Sequence, residues 1–326
     1  LSALNMVNQN SRIVIALGGN ALQADPKDTT AKAQIKTAKE TAKPIVDLIQ
    51  DGHEVIIAHG NGPQVGQLVA TYEAAKAMNN DLPIMPFPEC GAMSQGYIGY
   101  HLQQAIREEM IQRDIKKEVG TVVTQVVVDE KDPGFQNPTK PVGSFFNEED
   151  AKNLEKEMGF VMKEDSGRGY RRVVASPEPV DVVEAPIVRT LVDNGHVVIT
   201  VGGGGVPVLD RGNGVLEGVP AVIDKDFASE KIAEILDADM LIILTAVEKV
   251  AINFGTPEEK ELSEITIEEA KGYMEEGHFA PGSMLPKVKA ALKFVESKPG
   301  RKTLITSLDK AKEGIEGKTG TVIVSR

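Results

Sequence analysis

The sequence predicts an α/β fold of three layers, with an open, mainly parallel sheet covered by helices on both faces. Three observations carry that prediction. Short β-branched runs recur along the chain, they are continuously apolar rather than alternating, and stretches with helical spacing separate most of them. A continuous apolar run marks a strand covered on both faces. Strand–helix alternation then supplies the crossovers that parallel pairing requires.

In chain order, strands are expected at 12–17, 53–58, 121–128, 196–201, 241–244 and 303–306. Helices are expected between them at 30–50, 64–78, 93–113, 182–193 and 226–236. The run at 320–324 follows the strand at 303–306 too closely for a helical crossover, so it is read as a hairpin or edge pairing. An internal echo supports the layout: 48–62 resembles 191–205, each reading as helix end, Gly stop, buried strand and glycine loop. Gly52 and Gly195 fit the left-handed position that closes a helix. The two units are either topological equivalents or the ordinary repeat of an α/β chain. Residues 129–181 interrupt the rhythm with Pro133, Pro138, Pro141, Pro177, Pro179 and a charged stretch around Arg168, Arg171 and Arg172, and are read as an inserted subdomain or lid. The expected division is a first half at 11–181, carrying that insertion, and a second half at 182–326.

The chain has 326 residues, enough for one large or two modest domains with a substantial core. Its 36 Lys and Arg against 48 Asp and Glu give a net charge of −12, which opposes binding to nucleic acid or an anionic membrane. The single Cys90 forms no internal bridge and no Cys-type metal site, so a reducing cytoplasm is the expected compartment. No window reaches the ~18 apolar residues that span a bilayer, and residues 1–10 lack the features of a leader. Because the chain opens on Leu1, Met6 is an expected true start.

Ligands of open parallel sheets collect at the carboxyl ends of the strands. Here three such exits are glycine-rich: Gly18, Gly19 and Asn20; Gly60, Asn61 and Gly62; and 202–205, including Gly203 and Gly204. Each offers bare backbone N–H groups to an anion. Familiar nucleotide signatures fail. The 314–319 segment ends in Gly-Lys-Thr but has Lys312 where a P-loop needs its first glycine, and it precedes a strand. The 60–66 segment has one residue too many for a dinucleotide fingerprint, and Ala92 breaks the hydrolase elbow around Ser94. The five His form no metal spacing. Lys131, Lys225 and Lys287 lie in compact segments, with Lys225 flanked by Asp224 and Asp226. Phosphoryl transfer needs cations over the phosphates and no protein nucleophile, which suits such lysines; each taken alone also reads as a solvated surface charge.

The segments Ile15–Ala21, His59–Gly66, Cys90–Gly96, Asn137–Gly143, Ala221–Asp226 and His278–Met284 with Pro286 and Lys287 resemble the carbamate kinases of the amino acid kinase family. The likeness runs from about residue 12 to the C-terminus, and it implies that the insertion at 129–181 is the protruding subdomain of carbamate kinases. It implies reversible transfer between ATP plus carbamate and ADP plus carbamoyl phosphate, with Mg²⁺ on the nucleotide. It further implies a cytoplasmic homodimer that forms ATP as the last step of arginine fermentation. On these residues, the loops at Gly18, Gly19, Asn20, Gly60, Asn61 and Gly62, with Gly203 and Gly204, would hold carbamate and the travelling phosphoryl group. Lys131, Lys225 and Lys287 would neutralise charge, and Asp226 would orient them. Thr245, Ala246, Val247, Val250, Ser283 and Met284 would border the nucleotide, although Ala246 and Ala251 stand where relatives often carry polar or aromatic residues. The first half would then hold the acceptor and the second the nucleotide.

The chemistry of the residues agrees. Carbamate is small, planar and negative, and backbone amides grip it without side-chain obstruction. Its oxygen is already a nucleophile, so no general base is required, and His59 reads as structural. The other readings are a relative phosphorylating acetylglutamate or UMP, and a nucleotide-binding regulator without turnover. Gly91, Gly96 and Gly99 form either a dimer contact or an ordinary core helix face.

Overall fold

The computed structural model describes residues 10–326, so the expected start at Met6 lies outside the described residues. β1 (Arg12–Leu17) runs into the first glycine loop, and α1 (Ala31–Gln50), capped by the Thr30 hydroxyl on the Ala33 N–H, returns to β2 (Glu54–His59). Then come α2 (Gly62–Met78) and α3 (Phe87–Gln112), both starting earlier in the chain than their spacing suggested. Pro63 and Pro88 explain this, because a first turn has no use for the N–H that proline lacks.

The expected strand at 121–128 is two strands in two sheets: β3 (Val119–Thr121) and β4 (Gln125–Val127). The break has a physical cause. Thr124 between them has its backbone N–H taken by the Gln95 side-chain carbonyl at 2.8 Å, and its C=O is shared between the Gln95 amide at 3.1 Å and the Val206 N–H of the second sheet at 2.9 Å, so the chain leaves the first sheet here. The interruption at 129–181 contains β5 (Lys140–Phe146), α4 (Glu148–Met158), β6 (Val161–Glu164) and β7 (Tyr170–Val174), a three-stranded antiparallel sheet of its own with one helix. Val142 and Val174 seat it against Val65 of α2 and Phe87 and Cys90 of α3.

The chain continues through β8 (Asp181–Val182), α5 (Ala185–Asp193), β9 (Val197–Ile199), β10 (Val206–Asp210), β11 (Leu216–Gly218), α6 (Lys225–Ile235) and β12 (Met240–Leu244). A small hairpin of β13 (Ala251–Ile252) and β14 (Lys260–Glu261) precedes β15 (Glu264–Thr266) and α7 (Ile267–Glu275). The last elements are α8 (Met284–Ser297), β16 (Lys302–Thr306), α9 (Ala311–Ile315) and β17 (Thr321–Val324).

The main sheet has eight strands in the order β15-β17-β16-β12-β1-β2-β9-β3. All neighbours pair in parallel except β16 and β17, whose antiparallel pairing answers the close spacing of those two runs. The echoing strands are direct neighbours: Ile56 and Ile57 of β2 lie opposite Val198 and Ile199 of β9. β9 enters between β2 and β3, so strands from both ends of the chain share one sheet. Alternation along β1 shows the three layers. Ile13, Ile15 and Leu17 point to α1 and α3, while Val14 points to the core of α5, α6 and α8. Gly99 of α3 faces inward, since a Cβ there would come within 2.4 Å of Thr121, whereas Gly91 and Gly96 meet nothing.

Candidate functional site

The carboxyl ends of β1, β2, β9 and β12 deliver the site. Gly18, Gly19 and Asn20 leave β1 and border a cavity of about 170 Å³ together with Lys225, Ala246 and Lys287. Gly60 leaves β2 so close to Lys225 that a Cβ on it would lie 3.0 Å from the lysine Cδ. The third loop closes on the second. A Cβ on Gly203 would come within 2.2 Å of Asn61 Nδ2, and one on Gly202 within 2.5 Å of His59 Nε2. Gly203, at φ +64, and Gly204, at φ +87 and buried against Ile223, take conformations that side chains resist. The three loops therefore converge.

Two helices begin at this point. Lys225 opens α6, capped by Asp224 accepting from the Asp226 N–H at 2.8 Å, and Lys287 lies in the first turn of α8. Lys287 Nζ, partly buried, donates to Oδ2 of the buried Asp226 at 3.0 Å, and Asp226 Oδ1 has no partner among the described residues. Burial pushes the Lys225 ammonium below its ordinary pKa, against the pull of Asp226, and the nearby Lys287 charge pushes the same way. Gly62 starts α2, so its free N–H groups join the cradle. His59 is fully buried and held neutral, its pKa driven down to about 4 by burial. Its Nδ1 donates to the Gly60 carbonyl, which can only accept.

A larger cavity of about 530 Å³ adjoins the first, and Thr245 and Lys287 border both. Val247, Ser283 and Met284 also line it; Ala246 faces the smaller cavity. Val250 lies buried behind the wall, its N–H donated to Thr321 Oγ1 at 2.9 Å. Lys131 is set apart: it is exposed in the turn after β4 and borders neither cavity. The arginines of the protruding subdomain are engaged within it. Arg168 and Arg171 stack on Phe145 and reach Asp165, and Arg172 covers Phe160.

Several contributors carry no chemical signature in the sequence. Ser94 Oγ accepts from Asn61 Nδ2 at 2.9 Å and so aims that side chain into the cradle. Thr124 Oγ1 joins Thr200 at 2.8 Å and accepts from the Val201 N–H at 3.1 Å, holding Val201 at φ +46, a strained value for a β-branched residue, at the mouth of the third loop. Lys249, Asn253, Phe254 and His278 line the large cavity. Among the described residues no group of His, Cys, Asp and Glu is arranged as a metal cage.

Comparison with known proteins gives one direction. The model of the amino acid kinase family matches residues 11–307. A carbamate kinase of Clostridium perfringens is 59% identical over 313 residues, covering 96% of this chain and 99% of that protein. A carbamate kinase-like protein of Escherichia coli is 60% identical over 314 residues, with 96% and 99% covered. Among solved structures, carbamate kinase from Giardia lamblia bound to AMP-PNP superposes with a TM-score of 0.92 at 43% identity, covering 97% of this chain and 98% of that one.

Proposed function

This chain belongs to the amino acid kinase family, and on that premise we propose that it is a carbamate kinase, interconverting ATP plus carbamate with ADP plus carbamoyl phosphate. One observation carries the reading: Thr245 and Lys287 belong to both cavities, so a nucleotide in the larger one extends its phosphates past Lys287 into the glycine cradle. Carbamate would lie on the N–H groups of the Gly18–Asn20 and Gly60–Gly62 loops, with Asn61 held by Ser94. Lys225 and Lys287 would neutralise charge on the travelling group, and Asp226 would fix Lys287. The acceptor oxygen is already charged, so a neutral, buried His59 has no proton to remove. Lys131 is assigned a supporting role from the turn at 129–132, tested by Lys131→Met.

Mg²⁺ belongs to this reading as a companion of the nucleotide. The free, buried Oδ1 of Asp226 fits a single carboxylate donor beside phosphate oxygens, the arrangement this ion favours, where it would add positive charge along the phosphate chain. The family likeness supports the finer assignments as well: an ATP-forming homodimer in the cytoplasm, at the end of arginine fermentation. A buried free Cys90 suits a reducing compartment. The deciding experiment supplies ADP and carbamoyl phosphate and follows ATP by a coupled assay. ATP formation is expected; its absence, alongside phosphorylation of acetylglutamate or UMP, would overturn the assignment. ADP binding with no transfer to any acceptor would instead favour a regulator. Light scattering reads the mass of the assembly.

A further inference from the structure

The wall of the large cavity includes a short turn, from Asn253 to Thr256, that leaves β13. The turn is conformationally expensive. Asn253 stands at φ +53 and Gly255 at φ +77, and Thr256 folds back to bond Asn253 through both its N–H and its hydroxyl. Its Phe254 side chain is 73% exposed although it lines a cavity, an apolar surface without a protein partner. A distant residue ties the turn to the body of the protein: the Asn253 N–H donates to His278 Nδ1 at 3.2 Å.

That contact fixes the chemistry of the imidazole. A backbone N–H only donates, so Nδ1 must be unprotonated, and the ring proton sits on Nε2, which donates to Glu276 Oε2 at 2.8 Å. The ring is also packed edge-on to Tyr273, with centroids 5.8 Å apart. Its anchor is firm, because Gly277 at φ +77 closes α7 and the His278 N–H caps the Tyr273 carbonyl at 3.1 Å. One side chain thus joins a rigid helix end to a strained turn, and both border the same cavity.

We propose that His278 is a positioning residue for nucleotide binding: its bare Nδ1 latches the Asn253–Thr256 turn so that Phe254 presents its ring to the flat base of the nucleotide. The inference rests on the nucleotide reading above and names what holds that part of the site in place. An aromatic ring stacks on any base face, so the latch governs affinity and leaves the phosphate chemistry at Lys225 and Lys287 to other residues.

Calorimetry with ADP tests it on the full chain. His278→Leu removes the acceptor and is expected to weaken ADP about 10-fold, with the kinetic loss falling on KM for ADP more than on kcat. His278→Asn places an amide oxygen near the position of Nδ1 and is expected to restore most of that affinity. Phe254→Ala, on an exposed turn that does not endanger folding, is expected to weaken ADP by a similar factor. Nitrogen NMR of the wild-type imidazoles reads the tautomer directly and is expected to show His278 protonated at Nε2. Wild-type-like ADP affinity in both His278→Leu and Phe254→Ala, equal losses in the Leu and Asn variants, or a proton on Nδ1 would each overturn the latch. A wild-type chain that binds no ADP would remove the nucleotide reading itself, so the two failures are told apart.

Discussion

Lys287 Nζ sits 3.0 Å from Asp226 Oδ2, while Lys225, the residue just before that carboxylate, lays its stem against Gly60 and borders the same small cavity as Lys287. Two neighbouring positions on α6 therefore divide the electrostatic work. Asp226 holds one lysine in a partly buried ion pair, and Lys225 is left as a desolvated cation facing the cradle.

That division predicts different fates for two similar variants. Lys287→Met orphans a buried carboxylate and is expected to lose about 3 kcal/mol of stability as well as on the order of 10²-fold or more in kcat. Lys225→Met removes an ammonium that burial already disfavours, so its stability is expected to match or exceed wild type while kcat falls by a similar factor. Urea titration paired with the ATP-forming assay reads both quantities. A Lys225→Met variant with near-normal kcat would sink its assigned role.

Loop convergence makes its own prediction. At Gly203 an added Cβ would lie 2.2 Å from Asn61 Nδ2, on a backbone at φ +64 that already resists side chains. Gly203→Ala is therefore expected to displace Asn61 and lower kcat by about 10²-fold, since an error near 1 Å at reacting groups has that effect. At Gly60 the new methyl would meet only the flexible stem of Lys225, at 3.0 Å, and about 10-fold is expected there. Equal, small losses in both variants would show that the third loop does not shape the acceptor site.

Much of this site was legible in the sequence, and the limits have physical causes. Glycine at three strand exits and lysine beside aspartate at a helix start are local patterns, so the segments around Gly18, Gly60, Gly203 and Lys225 could be read directly. The run at 121–128 could not be divided, because the group that breaks it, Gln95, is supplied by α3 from 29 residues away. Val250 lies in the expected nucleotide segment yet packs behind the wall, since only three-dimensional packing decides which residues of the irregular segment between β12 and β13 face the cavity. The turn at Asn253 and its anchor His278 are 25 residues apart and joined by one backbone contact, which no local pattern encodes.

The single thiol yields a chemical prediction. Cys90 is fully buried in α3, and burial pushes its thiol above the ordinary range, with Glu89 and Glu73 adding to the shift. The thiolate is the reactive form, so a disulfide reagent such as dithionitrobenzoate is expected to leave native protein unlabelled and fully active, and to titrate one thiol in guanidinium. Rapid labelling of native protein would mean that the packing of α3 against the protruding subdomain opens readily.

Behind the lysine pair, α6 carries a second acidic residue one turn on. Glu230 is fully buried, no donor among the described residues reaches either of its carboxylate oxygens, and its polar neighbour is another carboxyl, that of Glu234. Lys293 Nζ approaches only to 3.8 Å, too far for a hydrogen bond, so burial and the adjacent Glu234 dominate and raise the Glu230 pKa to about 9. The consequence for stability follows from proton linkage. Below about pH 4.5 the carboxyl is protonated whether the chain is folded or not, and it adds no pH dependence. Between there and about pH 9 the unfolded chain gains a solvated charge that the folded chain cannot match, so stability falls steadily as pH rises. Glu230→Gln keeps the shape and removes the titration. Its melting temperature is therefore expected to equal that of wild type near pH 4.5 and to exceed it by an amount that grows to on the order of 5 °C or more at pH 9. A constant difference between the two proteins across that range would mean that Glu230 is ionised in the folded state and paired with Lys293 after all.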